Sequence, residues 1–418
     1  MWPLQAAPNC CIVGVGLAME GCGGRRSKVT ITVPLRSAFF VCSFWMAMAA
    51  ARPGLAQAPV FETTAQHAIL VDAESDSVLF QKDADARMPP ASMAKLMTMA
   101  VVFDALKSGK LHLTDQFVVS ENAWRSGGAA SGGSTMFAKL GSSIAVDDLI
   151  HGGIIQSAND GCIVLAEGIA GSETAFAEMM NTEATKLGLT GSHFTNATGL
   201  PDPNEYVTAH DLARVAKHLI ADFPEFYPIY SQTEFTWNKI RQYNRNPLLD
   251  MNIGADGLKT GFTEESGYGL VASAARSGER LILVINGTKS AKERGEEARK
   301  LMDWGFTSFE RVGFFKDGDV LGEARVFGGN RGSVDLVGKG AIDALLPHGA
   351  RDGMKGRIVY QGPVKAPIKA GQEIGTLQLT SNDQLVREAK VYAANDIGVG
   401  TVRQRTQSGL GELLFGWW

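Results

Sequence analysis

Met88-Pro89-Pro90-Ala91-Ser92-Met93-Ala94-Lys95-Leu96-Met97-Thr98 sets the tightest limit on what this chain can become. A helix does not run through two prolines. Just beyond them Leu96, Met99, Ala100, Phe103 and Leu106 recur at helical spacing. Ser92 therefore opens a buried helix, and Lys95, three residues on, shares its face. A neutral lysine amine within reach of a serine hydroxyl can act as the base that makes it a nucleophile. The helix N-terminus favours negative charge growing on the serine oxygen. Alone the spacing is weak, because a serine and a lysine three apart arise about once by chance in a chain of this length. No other Ser-x-x-Lys occurs, so its weight depends on companions downstream.

The first 56 residues are of a different kind. Arg25, Arg26, Lys28 and Arg36 precede an apolar run, Ala38 to Ala51, followed by Gly54-Leu55-Ala56-Gln57-Ala58. Basic region, apolar region and small-residue site are the layout of a secretory signal. Cleavage is expected after Ala56, since Pro59 disfavours a cut after Ala58. The apolar run is short for a membrane span. Residues 1–24 read as an overlong start rather than as structure. Export follows, to the periplasmic face of the inner membrane if the tail described below binds it.

Charge and cysteine count agree. Residues 1–56 hold five basic residues and one acid, net +4, so the whole chain's −4 leaves −8 on the remainder. An acidic exported protein is a poor partner for nucleic acid. Of five cysteines only Cys162 lies beyond that segment, which leaves no intramolecular disulfide and no cysteine metal site. Cys162 falls in the run Cys162-Ile163-Val164-Leu165-Ala166 and reads as a small core residue.

Along the chain, Ala68–Val71 and Ser77–Phe80 read as a hairpin. Helical patterns follow over the Ser92 segment, Val146–Ile155, Gly161–Ile169, Glu173–Leu187 and Thr208–Ile220. Ser126 to Ser134 is a Gly/Ser-rich loop and Asn196–Pro203 a turn cluster. Gly257–Phe262 leads into two further strands, Gly269–Ala274 and Arg280–Ile285, and a closing helix, Glu293–Trp304. The expected fold class is α/β (α+β): a mostly antiparallel sheet built from both ends of residues 60–305, with a helical lobe inserted between them. Residues 310–395 alternate short strands with turns and read as a small all-β sandwich domain. In the tail, 398–418, Leu410, Leu413, Leu414, Trp417 and Trp418 share one helical face, with Arg403 and Arg405 upstream. That pattern suits an amphipathic helix lying on a membrane surface.

An acyl-transferring serine also needs a proton relay to the leaving group, a hold on the substrate's carboxylate and an oxyanion hole. Ser157-Ala158-Asn159 offers a hydroxyl and an amide. Lys259-Thr260-Gly261, on a strand edge, offers charge, a hydroxyl and room for close approach. The backbone N–H groups of Ser92 and Phe262 would form the oxyanion hole. Ser120-Glu121-Asn122 and Lys107-Ser108-Gly109 imitate these tripeptides; the order Ser92, Ser157, Lys259 in helix-start, helix-junction and strand contexts is what separates signal from imitation.

Ser92-x-x-Lys95, Ser157-x-Asn159 and Lys259-Thr260-Gly261 resemble the three motifs of penicillin-binding proteins and serine β-lactamases. With their flanks and Asn244-Arg245-Asn246, they resemble most the low-molecular-mass D-alanyl-D-alanine carboxypeptidases, serine peptidase family S11, over about residues 60–395. The resemblance implies a β-lactamase/transpeptidase-like catalytic domain in which Lys95, kept neutral by burial and the Lys259 charge, takes the Ser92 proton. Ser157 would relay protons with Lys259, Asn159 would hold the donor strand, and Thr260 would bind the terminal carboxylate with Arg245 or Arg294. It further implies stem peptides ending in D-Ala-D-Ala as substrate, β-lactam antibiotics as covalent inhibitors, and no cofactor or metal. The seven histidines form no His-x-x-x-His pair. A class A β-lactamase would need a Glu-x-x-Leu-Asn element, and the chain has no Leu-Asn. A D,D-endopeptidase usually lacks the β-module and tail, and a silent peptidoglycan-binding protein should have lost Ser92 or Lys95.

Overall fold

The computed structural model describes residues 10–15, 61–350, 353–381 and 384–415. It divides into two compact units, residues 60–308 and residues 309–418 together with 1–59.

The first unit is built on a five-stranded antiparallel sheet. Its strands are β1 (His67–Asp72), β2 (Val78–Lys82), β3 (Ala255–Thr263), β4 (Gly267–Arg276) and β5 (Glu279–Thr288), in spatial order β2-β1-β5-β4-β3. The centre of the sheet is covered on both faces, so its strands carry continuous apolar runs rather than alternation. Ile69, Val71, Ile282 and Val284 join the core of the helical lobe. On the other face Gly305, in the closing helix Ala291–Ser308, sits directly on Leu70 and Leu281.

At the middle of the lobe lies α1 (Lys95–Lys107), buried from Lys95 through Phe103. A helix apolar all round belongs in a core, and α2 (Val146–His151), α3 (Asn159–Ala170), α4 (Glu173–Lys186) and α5 (Ala209–Asp222) contribute to that core. Ser172 and Thr208 accept from Ala175 N and Asp211 N, capping α4 and α5. The helix expected over Val146–Ile155 widens into a π-type turn at Gly152–Gln156. A two-stranded ribbon, Glu234–Trp237 with Ile240–Tyr243, is additional to the expectation.

Asp160 stitches the lobe together. Wholly buried at the start of α3, it accepts from Thr135 Oγ1 at 2.6 Å and from the backbone N–H groups of Met136, Ala138 and Gly161, each at 3.0 Å. Its charge sits at a helix N-terminus, where the dipole favours it.

Among its described residues the second unit is all-β apart from its last helix. Strands Val320–Phe327, Ser333–Val337, Met354–Gln361, Val364–Lys365, Glu373–Ser381 and Gln384–Ala393 belong to one seven-stranded sheet, with Phe309–Phe315 and Ile342–Pro347 as a separate ribbon. One large sheet and a ribbon thus take the place of the two comparable sheets that a sandwich implies, around a core that includes Leu336, Ile358 and Leu377. The seventh strand corrects the reading of residues 1–24 as unstructured: Cys10–Val15 runs antiparallel to Met354–Gln361, Cys10 opposite Gln361 and Val15 opposite Gly356. Its apolar, β-branched stretch pairs an edge that would otherwise be open. Of the signal expected over residues 1–56, the basic and apolar regions from Arg25 onward lie outside the described residues.

The last helix spans Val402–Phe415. It opens with a reciprocal box in which Thr401 N donates to Gln404 Oε1 at 2.8 Å and Gln404 N to Thr401 Oγ1 at 3.4 Å. No helix among the described residues is long and apolar enough to cross a membrane.

Replacing Asp160 by alanine leaves one hydroxyl and three backbone donors without their acceptor. We expect Asp160→Ala to lower the stability of the first unit by about 3 kcal/mol, read from urea unfolding followed by tryptophan fluorescence.

Candidate active site

The approach to Ser92 is strained. Ala91 has φ of +47°, a left-handed conformation that costs a non-glycine residue about 1–3 kcal/mol. Ser92 then lies in a short 3₁₀ turn, Ala91–Ala94, that runs directly into α1. The edge strand β3 comes down on this turn. A Cβ on Gly261 would stand 3.0 Å from Met93 Cγ and 3.1 Å from Pro90 O, so any side chain there would push these neighbours back by a few tenths of an ångström. Ser92, Thr260 and Phe262 consequently line one cavity of about 620 Å³.

Lys95 is 1% exposed. Its Nζ lies 3.0 Å from Ser92 Oγ, 2.8 Å from Asn159 Oδ1 and 2.6 Å from Thr198 O. Two of these neighbours are carbonyl oxygens, which only accept. A neutral amine has two N–H bonds and one lone pair. Donating both N–H bonds to Asn159 and Thr198 turns the lone pair toward the serine. Burial pushes the Lys95 amine down to about 8, and the Arg245 charge acts in the same direction against nearby acidic groups. Lys259, 3% exposed, is also pushed well down, by burial first and by Lys95 second. Burial leads at both amines, as expected for Lys95, and the Arg245 charge adds to it at each. Lys259 Nζ donates to Thr260 O at 3.1 Å.

Ser157 follows the π-type turn in the left-handed region, φ 64° and ψ 32°. It is 1% exposed, lines the cavity, and its Oγ has no hydrogen-bond partner among the described residues. Asn159, at the first turn of α3, is fixed by its N–H to Ser134 O at 2.7 Å. The arginines also reach the cavity. Arg245 is set by its neighbours: Asn244 Nδ2 donates to Gln232 O at 2.9 Å, and Asn246 Nδ2 donates to Gly257 O at 2.7 Å. Its own Nη1 donates to Ser134 Oγ at 2.6 Å. Arg294 is 7% exposed and stands over the Tyr268 ring, 5.9 Å from the centroid; burial brings it down to about 10. Arg294 is thus no ordinary surface arginine, whereas Arg245 is exposed and tied to the cavity wall through Ser134. Tyr268 in turn contacts Phe262, ring centroids 4.2 Å apart.

Every expected residue (Ser92, Lys95, Ser157, Asn159, Lys259, Thr260, Gly261, Phe262, Arg245 and Arg294) falls at or beside this cavity. The imitations fall elsewhere: Ser120 Oγ accepts from Ala123 N, and Lys107 donates to Asp222 O. Cys162 is a buried core residue, its thiol pushed up to about 11 by burial. Thr198 escaped the sequence reading because its contribution is a backbone carbonyl. Asn196 presents it: Asn196 Oδ1 accepts from Thr198 N, Thr198 Oγ1 and Gly199 N at 3.0, 2.6 and 2.8 Å. An asparagine two to three residues before a glycine in a turn cluster was the available signal.

A serine beside a buried lysine lone pair, a free hydroxyl across the cavity and guanidinium groups on its wall make up the site of a serine acyl-transferring enzyme that takes an anionic substrate. Residues 52–290 match the family model of D-alanyl-D-alanine carboxypeptidases, and 309–399 match that of the penicillin-binding protein 5 C-terminal domain. The chain is 42% identical over 335 residues to the D-alanyl-D-alanine carboxypeptidase DacC of Escherichia coli, covering 79% of this chain and 84% of that one. Penicillin-binding protein 5 from Haemophilus influenzae superposes with a TM-score of 0.72 at 40% identity, over 81% of this chain and 99% of that one. Penicillin-binding protein D2 from Listeria monocytogenes, solved in an ampicillin-bound form, superposes with 0.52 at 30% identity, over 60% of this chain and 100% of that one. The chain belongs to the D-alanyl-D-alanine carboxypeptidase family, as a serine-type enzyme.

Because the base must be unprotonated, kcat/KM on a D-Ala-D-Ala peptide should rise with pH and level off above about 8, where Lys95 has lost its proton. Lys95→Met should lower the plateau by about a thousandfold and remove that inflection, so that the two profiles converge toward low pH, both read from a pH–rate profile.

Proposed function

We propose that the enzyme removes the last D-alanine from peptidoglycan stem peptides in the cell envelope. The observation that carries the mechanism is Lys95 Nζ held between Ser92 Oγ and two carbonyl oxygens. Lys95 takes the Ser92 proton as Oγ attacks the carbonyl carbon between the two D-alanines. The N–H groups of Ser92 and Phe262 hold the oxyanion. The C–N bond breaks, the proton reaches the departing amine through Ser157 Oγ, and D-alanine leaves. Water then attacks the ester on Ser92 and releases the shortened peptide.

The remaining lining fits this substrate. Thr260 offers a hydroxyl, and Arg245 and Arg294 offer charge, to the terminal carboxylate; Asn159 orients the donor strand. Lys259 holds the relay with Ser157. A β-lactam carries a strained amide and a carboxylate, which suits acylation of the same serine, in keeping with the ampicillin-bound Listeria relative.

Residues 1–56 would direct export. The helix Val402–Phe415, with the apolar spacing of the tail, would hold the enzyme on the periplasmic face of the inner membrane as a peripheral protein. Cleavage after Ala56 would also detach Cys10–Val15 and open the Met354–Gln361 edge.

Protein beginning at residue 57 should release D-alanine from a peptide ending in D-Ala-D-Ala, and Ser92→Ala should release none. Labelling by penicillin without release would refute the carboxypeptidase reading while keeping the nucleophile. Deleting residues 398–418 should abolish sedimentation with anionic phospholipid vesicles and leave hydrolysis of the soluble peptide intact; undiminished sedimentation would refute the membrane role.

A further inference from the structure

The turn that offers Thr198 O to Lys95 needs a fixed position relative to the helix that carries the lysine. Asn196 shapes the turn through Thr198 N, Thr198 Oγ1 and Gly199 N, but Asn196 belongs to the turn and moves with it. A tie to α1 itself comes from Thr98.

Thr98 lies one turn after Lys95 on α1, so the two side chains leave the helix on one face. They take consecutive carbonyls of the same turn. Thr98 Oγ1 donates to Ala197 O at 2.8 Å, and Lys95 Nζ donates to Thr198 O at 2.6 Å. A hydroxyl has one proton to give. The Met180 sulfur, 3.9 Å from Oγ1, is the weaker acceptor, so that proton goes to Ala197 O. Ala197 is held on its other side as well, its N–H donating to Glu173 Oε1 at 3.2 Å. Thr98 is wholly buried, and Ala197 and Thr198 are at most 1% exposed. Without the hydroxyl, Ala197 O would be a buried carbonyl lacking a donor, a cost large enough to turn its peptide plane.

The plane between Ala197 and Thr198 is thus pinned at both ends, its C=O by Thr98 and its N–H by Asn196. The next carbonyl along is the one that Lys95 uses. We propose that Thr98 is a positioning residue for the general base: by anchoring Ala197 O on α1 it fixes Thr198 O where the Lys95 amine donates, and so keeps the amine's lone pair turned toward Ser92. Thr98 does not line the catalytic cavity and acts only through this turn. The inference rests on Lys95 being the base.

The test is the pH dependence of kcat/KM on a peptide ending in D-Ala-D-Ala, measured in full-length enzyme and in Thr98→Val, Thr98→Ala and Thr98→Ser. A carbonyl that accepts from an amine favours its protonated form. When Thr198 O drifts, Lys95 loses part of that support and gives up its proton more readily. Thr98→Val should therefore move the inflection to lower pH by about half a unit and lower the plateau about tenfold. Thr98→Ala lacks the hydroxyl without pressing a methyl on Ala197 O, and should do the same even where the valine variant does not fold. Thr98→Ser keeps the hydroxyl and should reproduce the parent profile. The other titratable groups that act on Lys95 (Cys162 on α3, Glu173 on α4, Lys259 on β3, Glu205 and Arg245) are the same in all four proteins. A merely structural role lowers the amount of competent enzyme, and so the height of the profile, but leaves the inflection in place. An unmoved inflection in Thr98→Ala, or in a folded Thr98→Val, overturns the proposal, as does a moved one in Thr98→Ser. A parent profile with no inflection near 8 overturns the base assignment, and the positioning role with it.

Discussion

An amine with nowhere to put a proton is the constraint around which the catalytic unit is arranged. Lys95 is buried, and its three neighbours come from three segments, two of them distant: Ser92 from its own turn, Asn159 from α3, Thr198 from the loop before α5. None can drift without leaving a buried polar group unpaired, which costs more than the bond contributes. Each is accordingly fixed by a device of its own. Asp160 gathers the segment 135–138 onto the start of α3, Asn196 winds the Thr198 loop on its side-chain oxygen, and Gly261 lets β3 close on the Ser92 turn.

The same arrangement sorts the charges of the cavity. Two lysines are buried where a full positive charge is poorly solvated, and both are depressed. The arginines, whose guanidinium groups keep their charge far above neutral pH, stand on the wall. A substrate carboxylate is therefore met by fixed charge, while the amines remain free to exchange protons. Two kinds of cation in one cavity thus do two kinds of work, and the difference between them is the basicity of the guanidinium, which keeps even the buried Arg294 charged.

Much of this was legible in the sequence because the chemistry is carried by side chains at short, ordered spacings. Ser92 and Lys95 share one turn. Ser157 and Asn159 straddle a helix start, and Lys259 to Phe262 lie on a strand whose apolar partners are visible in Gly269–Ala274 and Arg280–Ile285. What stayed hidden is what side-chain identity does not encode. Thr198 acts through its carbonyl. Asp160 reads in sequence as an ordinary first-turn acid, and only the return of residues 135–138 makes it a hub. The ribbon Glu234–Tyr243 pairs only with itself, and its half-exposed alternation is too short to stand out. Cys10–Val15 was masked by an expectation about its neighbours, and a six-residue β-prone run needs only an open edge to pair.

Ser157 is the place where the fold tolerates cost. It is a non-glycine residue with φ of 64°, and its hydroxyl is buried without a partner. Each departure costs about 1–3 kcal/mol, and relaxing either is blocked by the backbone on both sides: Ala158 N donates to Gly152 O at 3.0 Å and Asn159 N to Ser134 O at 2.7 Å. A hydroxyl already committed to a carbonyl would have to break that bond before it could pass on a proton. One held without a partner, facing a cavity that it shares with the nucleophile, has nothing to break. The strain at Ser157 and the depressed basicity of Lys95 are therefore two forms of one requirement, that the groups handling the proton be held in place by the fold and left ready at the atom that reacts.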